Sequence, residues 1–360
     1  MKKKSMILRF LFVFLCTALL IGVVACNSSG GGEDEIITLR FAHVYPVGNS
    51  IETWWLEPFQ AKMTERTNGR VVIENFPAGT LLDSASQLDG VIDGVADMAY
   101  ITKAHLPGRF NETLIFDMPG LNYVSARAAS HALAEYVRLY EPEEYKGFIN
   151  LGNHGCGPGA FISTRPIRTL EDLQGLLVAT NVATGRGLTA LGAAPVNIVS
   201  PERYEALRSG LMDANVGTPI MLTDFVFYEV CDYMTMYPFS NTGFFIAMNE
   251  ARFNGLPADI QRHIMEAAAE VWEETQTYYF DIEVHKALTF AEERGMEVIN
   301  LSDAEQERWL PILRTVLDEY AIELDNMGYD GQLIKQRAIE LTEKWNAIYP
   351  TIEPLFDWQR

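Results

Sequence analysis

Few residue constellations in this chain have the types and spacing for chemistry, and each reads better as structure. Gly155-Cys156-Gly157-Pro158-Gly159-Ala160 matches the spacing of a dinucleotide-binding fingerprint. That motif needs a helix to open at once, with its N-terminus facing a pyrophosphate. Here Phe161-Ile162-Ser163-Thr164-Arg165-Pro166 follows and reads as extended chain, so the glycines are expected to form a close-approach or hinge turn. Asp93 and Asp97 could be an acid–base carboxylate pair, but they flank a turn into a strand and are expected to be structural. There is no His-Glu-x-x-His, Cys-x-x-Cys or Gly-x-Ser-x-Gly run, and the six histidines are scattered. The expectation is therefore no enzyme, no metal and no cofactor.

Chemistry of another kind is written into the first 26 residues. Lys2, Lys3, Lys4 and Arg9 give a basic start, Ile7 to Val24 is an almost unbroken apolar run, and Ala25 precedes Cys26. This is the build of a secretory leader. The run approaches the ~20 residues of a membrane-spanning helix, so length alone does not separate a leader from an anchor. Val23-Val24-Ala25-Cys26 resembles a bacterial lipobox, in which the cysteine is lipidated and becomes the mature first residue. Residues 1–25 are read as a lipoprotein signal peptide, and 26–35, rich in Ser and Gly, as a flexible tether. Cleaved or not, the segment puts the rest of the chain outside the cytoplasm, in the periplasm or on the outer face of the cell membrane.

Removing 25 of 360 residues leaves 335, too many for one ordinary core and suited to two lobes. The chain has 28 Lys+Arg against 48 Asp+Glu, a net −20; the leader holds four of the bases and no acid, so the mature chain carries −24. Such a surface repels nucleic acid and anionic headgroups, and no nucleic-acid partner is expected. Of the four cysteines, Cys16 leaves with the leader and Cys26 takes the lipid. Cys156 and Cys231 remain, and two free thiols are expected.

The elements that must position any site alternate along the chain. Thr38–Val44 reads as a strand, and Ser50–Thr67 as a helix capped by Ser50 and stopped by Asn68-Gly69. A strand at Arg70–Phe76, a helix at Leu81–Asp93 and a strand at Met98–Ile101 follow. Further strands are expected at Phe148–Asn153, Leu176–Ala179, Val196–Val199 and Phe244–Met248, with a helix starting at Ser200-Pro201-Glu202 and stopped by Gly210. The alternation predicts α/β sheets with ligand contacts at the carboxyl ends of strands. Ala258–Arg294 lacks Gly and Pro, and as one helix its 37 positions span roughly 55 Å. Its apolar positions keep no heptad, so it reads as a brace across two lobes and not as a coiled-coil stalk.

Specific runs then carry a resemblance. They include Leu39-Arg40-Phe41-Ala42-His43, Phe76-Pro77-Ala78-Gly79-Thr80-Leu81, Gly94-Val95-Ala96-Asp97-Met98 and Leu170-Glu171-Asp172-Leu173-Gln174-Gly175-Leu176. Leu191-Gly192-Ala193-Ala194-Pro195-Val196 and Tyr204-Glu205-Ala206-Leu207-Arg208-Ser209-Gly210-Leu211-Met212-Asp213 continue the set in order. Together they resemble the solute-binding proteins of tripartite ATP-independent periplasmic (TRAP) transporters, the family usually labelled dicarboxylate-binding. The resemblance implies a two-lobed periplasmic-binding-protein-like α/β fold with a hinge cleft and a long helix bracing both lobes. Its lobes are expected at 36–157 plus 243–282 and at 158–242 plus 283–360. It implies a receptor, not an enzyme, that captures a small organic solute and delivers it to TRAP-type permease subunits driven by an ion gradient. Membrane lipid is a further partner through Cys26. A receptor feeding a membrane sensor kinase, or an extracytoplasmic enzyme on the same fold, are the alternatives.

One departure from the family pattern bears on the solute. The family usually places an arginine in the strand after Asp-Leu-Lys-Gly-Leu, where its planar fork holds a carboxylate; the position here is Ala179. Either another cation serves, Arg186 or Lys103 being the nearest candidates, or the solute is not a simple carboxylate. Ligand-facing positions are expected at strand ends and helix starts. In the first lobe these are His43, Tyr45, Asn49, Trp54, Tyr100 and Thr102; in the second, Phe161, Ala179, Asn181, Asn215, Thr218 and Phe239. Phe161, Trp54 and Tyr100 are expected to form an aromatic wall.

Overall fold

The structure, a computed structural model, describes residues 36–198, 202–239 and 241–350, without the side chains of 275–278. The signal peptide, Cys26 and the tether lie outside the described residues, as do Ser200 and Pro201 of the expected helix start. Contacts separate Met1–Ile37 from Thr38–Arg360, and the fold is that of the second unit.

The strands in chain order are β1 (Ile37–Ala42), β2 (Val71–Phe76), β3 (Met98–Thr102), β4 (Phe148–Gly155), β5 (Ala160–Ser163), β6 (Leu177–Thr180), β7 (Ala194–Asn197), β8 (Ala214–Gly217), β9 (Tyr233–Met236), β10 (Gly243–Asn249) and β11 (Glu297–Asn300). They form two sheets, ordered β2-β1-β3-β10-β4 and β11-β9-β5-β8-β6-β7. In the first, β1 and β3 run parallel, and β10 lies antiparallel between β3 and β4. In the second, β6 runs parallel to β7 and β8, while β5 is antiparallel to β8 and β9. The chain leaves the first sheet after β4, returns to it at β10 and leaves it again for β11, so it crosses between the sheets at three places. β3 and β10 are buried along their whole length, as strands covered on both faces must be. β8, β9 and β11 are not among the expected strands.

The first crossover uses the glycine-rich run. Gly157 has φ +70°, and a Cβ there would lie 2.4 Å from the backbone nitrogen of Ala126. Only glycine fits, and the run makes a close-approach turn, not the mouth of a helix.

The first helix enters through a π turn, Glu52–Leu56, and continues as α1 (Glu57–Thr67), which ends at Asn68 in the left-handed region. Its cap is Asn49, whose Oδ1 accepts from Ile51 N at 2.8 Å. Ser50, the expected cap, instead donates to Asp224. Of the expected helix at 81–93, only Gln87–Ile92 is helical. α2 (Ala126–Tyr140) is capped by Ser125, α3 (Val182–Ala190) by Asn181, and α4 (Arg203–Arg208) and α5 (Met221–Asp224) are short. The expected long helix is present as α6 (Ala258–Val271), a π turn at Trp272–Gln276, and α7 (Thr277–Glu293). The two π turns touch each other.

Burial follows the strand period. Phe161 of β5 joins a cluster with Phe239, Trp309 and Leu313, while its neighbours Ala160 and Ile162 point into another with Ala179 and Met234. α8 (Asp303–Asn326) and α9 (Gly331–Ile348) follow, and α9 packs on α2 through Ile334, Ala338 and Leu341. No helix among the described residues is long and apolar enough to cross a membrane.

Candidate functional site

Strand alternation aims β3 two ways. Ala99 and Ile101 enter the apolar cluster under the first sheet, while Tyr100 and Thr102 face a cavity of about 80 Å³. β10 sets Phe244 directly opposite Thr102, where its ring stacks on Tyr100 at 5.3 Å. Just past β1, Tyr45 shares a hydrogen bond of 3.1 Å with the Thr102 hydroxyl and stands edge-on to Tyr100. The long helix contributes Tyr279 and Phe280, the latter stacked on Phe244. From the second sheet come Val216 and Gly217 at the end of β8, Thr218 and Phe225 beyond it, and Asn181 at the end of β6. The cavity is thus walled by aromatic rings and drawn from both sheets.

Charge is sparse in the wall. Arg203, in the first turn of α4, is 5% exposed. Its Nε donates to Ile198 O and its Nη1 to Asn215 Oδ1, both at 2.8 Å. Among the described residues it has no carboxylate partner, and its Nη2 has no hydrogen-bond partner. Burial brings its pKa down to about 10 from 12.5. His105 lines the cavity as well; burial, with Arg203 nearby, holds it down at about 4, so it is neutral at physiological pH. Asp224 is held up at about 6, chiefly by burial. The Cys156 thiol is pushed up to about 12 by burial, and Cys156 and Cys231 are both free. The described residues bring no three His, Cys, Asp or Glu side chains together as a metal site.

The cavity wall brings together five of the expected positions: Tyr45, Tyr100, Thr102, Asn181 and Thr218. The others lie elsewhere. His43 is fully buried, with Nε2 3.2 Å from Glu52. Asn49 is a helix cap. Trp54 stacks on the wall residue Tyr279 and donates to Glu283, while its neighbour Trp55 stacks on Phe41 and Phe59 in the core. Phe161 and Phe239 pack on each other at 5.5 Å inside the second sheet's core. Ala179 is buried in the other cluster. Asn215 touches the site indirectly, by holding Arg203. The aromatic wall is therefore Tyr45, Tyr100, Phe225, Phe244, Tyr279 and Phe280, with only Tyr100 from the expected trio.

Neither proposed substitute cation reaches the cavity. Arg186 pairs with Glu323 at 2.6 Å and lies over the Tyr320 ring. Lys103 is buried against Asp117 at 3.2 Å and donates to Thr113 O. Arg203 is the cation that sequence reasoning missed, and a signal existed: a positive charge in the first turn of a helix opposes the helix dipole and needs a reason. Asp93 and Asp97 are structural, Asp93 ending the helix at Gln87–Ile92 and Asp97 paired with Arg40 at 3.1 Å.

The family model described as bacterial extracellular solute-binding protein, family 7, matches residues 41–324. The C4-dicarboxylate-binding periplasmic protein of Rhodobacter capsulatus is 25% identical over 297 residues, covering 80% of this chain and 87% of that protein. A marine metagenome TRAP solute-binding protein specific for aromatic acid ligands, solved with metahydroxyphenylacetate, matches with a TM-score of 0.81 at 24% identity, covering 86% of this chain and 99% of that one. A TRAP solute-binding protein from Rhodoferax ferrireducens, solved with copurified benzoate, gives a TM-score of 0.81 at 23% identity, covering 87% and 99%. The fold is the mixed α/β, two-domain architecture of the periplasmic binding proteins.

Proposed function

The chain belongs to the bacterial extracellular solute-binding proteins of family 7, and from that premise we propose that it captures a small ring-bearing monocarboxylic acid for delivery to a TRAP-type permease. The family is one of substrate-binding receptors, so the chain acts by binding an organic solute outside the cytoplasm and not by catalysis.

Arg203 carries the choice of an acid. A guanidinium buried without a counter-charge is costly, and an arriving carboxylate supplies the partner it lacks. Arg203 thereby fills the role that the family gives to the position of Ala179, approaching from a helix and not from the strand. Of the two alternatives left by Ala179, this reading takes the one in which another cation serves, with Arg203 in place of Arg186 or Lys103. Among the described residues the wall holds one arginine and no lysine, so the second carboxylate of a dicarboxylate would stand unpaired beside Asp224. Six aromatic side chains suit a planar ring. The solved proteins that hold metahydroxyphenylacetate and benzoate support this reading. The dicarboxylate named for the Rhodobacter relative points elsewhere, and the lone guanidinium argues against it here.

The proposal extends to the whole cycle. Lobe I, residues 36–157 plus 243–282, and lobe II, residues 158–242 plus 283–360 apart from α9, which packs on α2 of lobe I, close over the solute about the three crossovers, converting binding energy into closure. Cys26 tethers the receptor to lipid beside its permease. The test is calorimetry of the mature protein with benzoate, phenylacetate and succinate, beside native mass spectrometry of protein purified without refolding. A ring acid should bind at least about tenfold more tightly than succinate. Tight succinate binding with no response to ring acids overturns the assignment.

A further inference from the structure

Asp224 takes no part in holding a simple acid, yet it stands in the cavity wall. It closes α5, and Ser50 donates to its Oδ2 at 3.1 Å. Its Oδ1 has no hydrogen-bond partner among the described residues, nor has the side chain an ion-pair partner there. Arg203 reaches the cavity from α4, a different element, and among the described residues no hydrogen bond or ion pair joins the two side chains. The cavity therefore has two separate polar points, one donating and one accepting, with the rings of Tyr45, Tyr100 and Phe244 in the wall they share. A bare ring filling such a space would strip water from Asp224 and give nothing back.

We infer that Asp224 is a specificity-determining residue that accepts a hydrogen bond from a hydroxyl or ammonium group at the far end of a ring acid whose carboxylate lies on Arg203. This rests on the carboxylate reading above. A hydrogen bond to a carboxylate is stronger than one between neutral groups. A site built to receive a donor also rejects the analogue that lacks one, because its own polar group is then left unpaired.

The experiment is calorimetry of the mature protein with phenylacetate, 4-hydroxyphenylacetate and 4-(aminomethyl)benzoate, on wild type, Asp224→Asn and Asp224→Leu. Thermal melts of each variant establish that it is folded, and the asparagine variant stands if the leucine variant is not. Wild type should bind at least one donor-bearing acid about tenfold or more tighter than phenylacetate. Asp224→Leu should abolish that preference, weakening the donor-bearing acids while phenylacetate binds at least as tightly as to wild type, and Asp224→Asn should reduce an ammonium preference more than a hydroxyl one. The two donor acids separate hydroxyl from ammonium recognition. Equal affinities for all three acids in wild type, or a preference that survives both substitutions, overturns the role of Asp224 and leaves the acid receptor standing. Failure of every acid to bind overturns the proposed function and this inference together.

Discussion

Replacing Arg203 by Met keeps the side-chain stem and removes the charge, which isolates the electrostatic contribution. Burial without a counter-charge moves the guanidinium from 12.5 to about 10. That difference corresponds to a penalty on the charged form on the order of 3 kcal/mol in the empty receptor. A bound carboxylate relieves the penalty and adds charge-assisted hydrogen bonds to Nη2. Removing one partner of such a buried pair costs roughly 3–5 kcal/mol, so the affinity for phenylacetate or benzoate should fall by roughly two to three and a half orders of magnitude. The empty protein should behave differently. Arg203→Met relieves a lone buried charge but leaves Asn215 Oδ1 and Ile198 O without their donor, at about 1–3 kcal/mol each. Its melting temperature should therefore move by only a few degrees while its affinity collapses. Arg203→Lys keeps the charge but loses the planar fork and should fall in between. Isothermal titration calorimetry beside thermal melts of the empty variants gives both readouts. Ring-acid binding by Arg203→Met within about threefold of wild type would refute the clamp.

Gly157→Ala should lower stability by roughly 2–4 kcal/mol, because the new Cβ meets the backbone at Ala126 and φ is +70°; an unchanged urea midpoint would contradict this. Asp224 is raised to about 6 from 3.8, so the stability linked to it is fully present below about pH 4 and is lost as pH rises through 6. Asp224→Asn should accordingly melt a few degrees above wild type at pH 8 and level with it near pH 4; the same offset at both values would show that the carboxyl is not the cause. Cys26→Ala should release the protein from membranes or leave the leader uncut, and intact-mass analysis showing a mature start elsewhere without acyl mass would rule out the lipid site. Small-angle scattering should give a smaller radius of gyration with a cognate ring acid than without it; identical curves at saturation would count against closure.

Much of this molecule is legible in one dimension. The run from Ala258 to Arg294 is read as helical because so many positions pass without Gly or Pro, and β1, β3 and β10 announce themselves as apolar runs between turn signals. Gly157 is legible as a special backbone position for the same local reason. The ordered family runs point to the fold and the receptor class together. What the sequence did not place is the site. Tyr100 and Thr102 could be nominated because they sit at a strand's end, but Trp54 and Phe161 are equally aromatic and equally near such ends, and they lie outside the cavity. The identity of the cation is the clearest case. Arg186, Lys103 and Arg203 are alike as letters, yet Glu323 takes the first, Asp117 the second, and among the described residues the third has no counter-charge. Pairing is decided by side chains 137 and 14 positions apart in the chain, and by a first helical turn packed beside β8. Local composition sets which elements form; which charge is left unpaired depends on distances between elements, and those exist only once the two sheets have folded around one cavity.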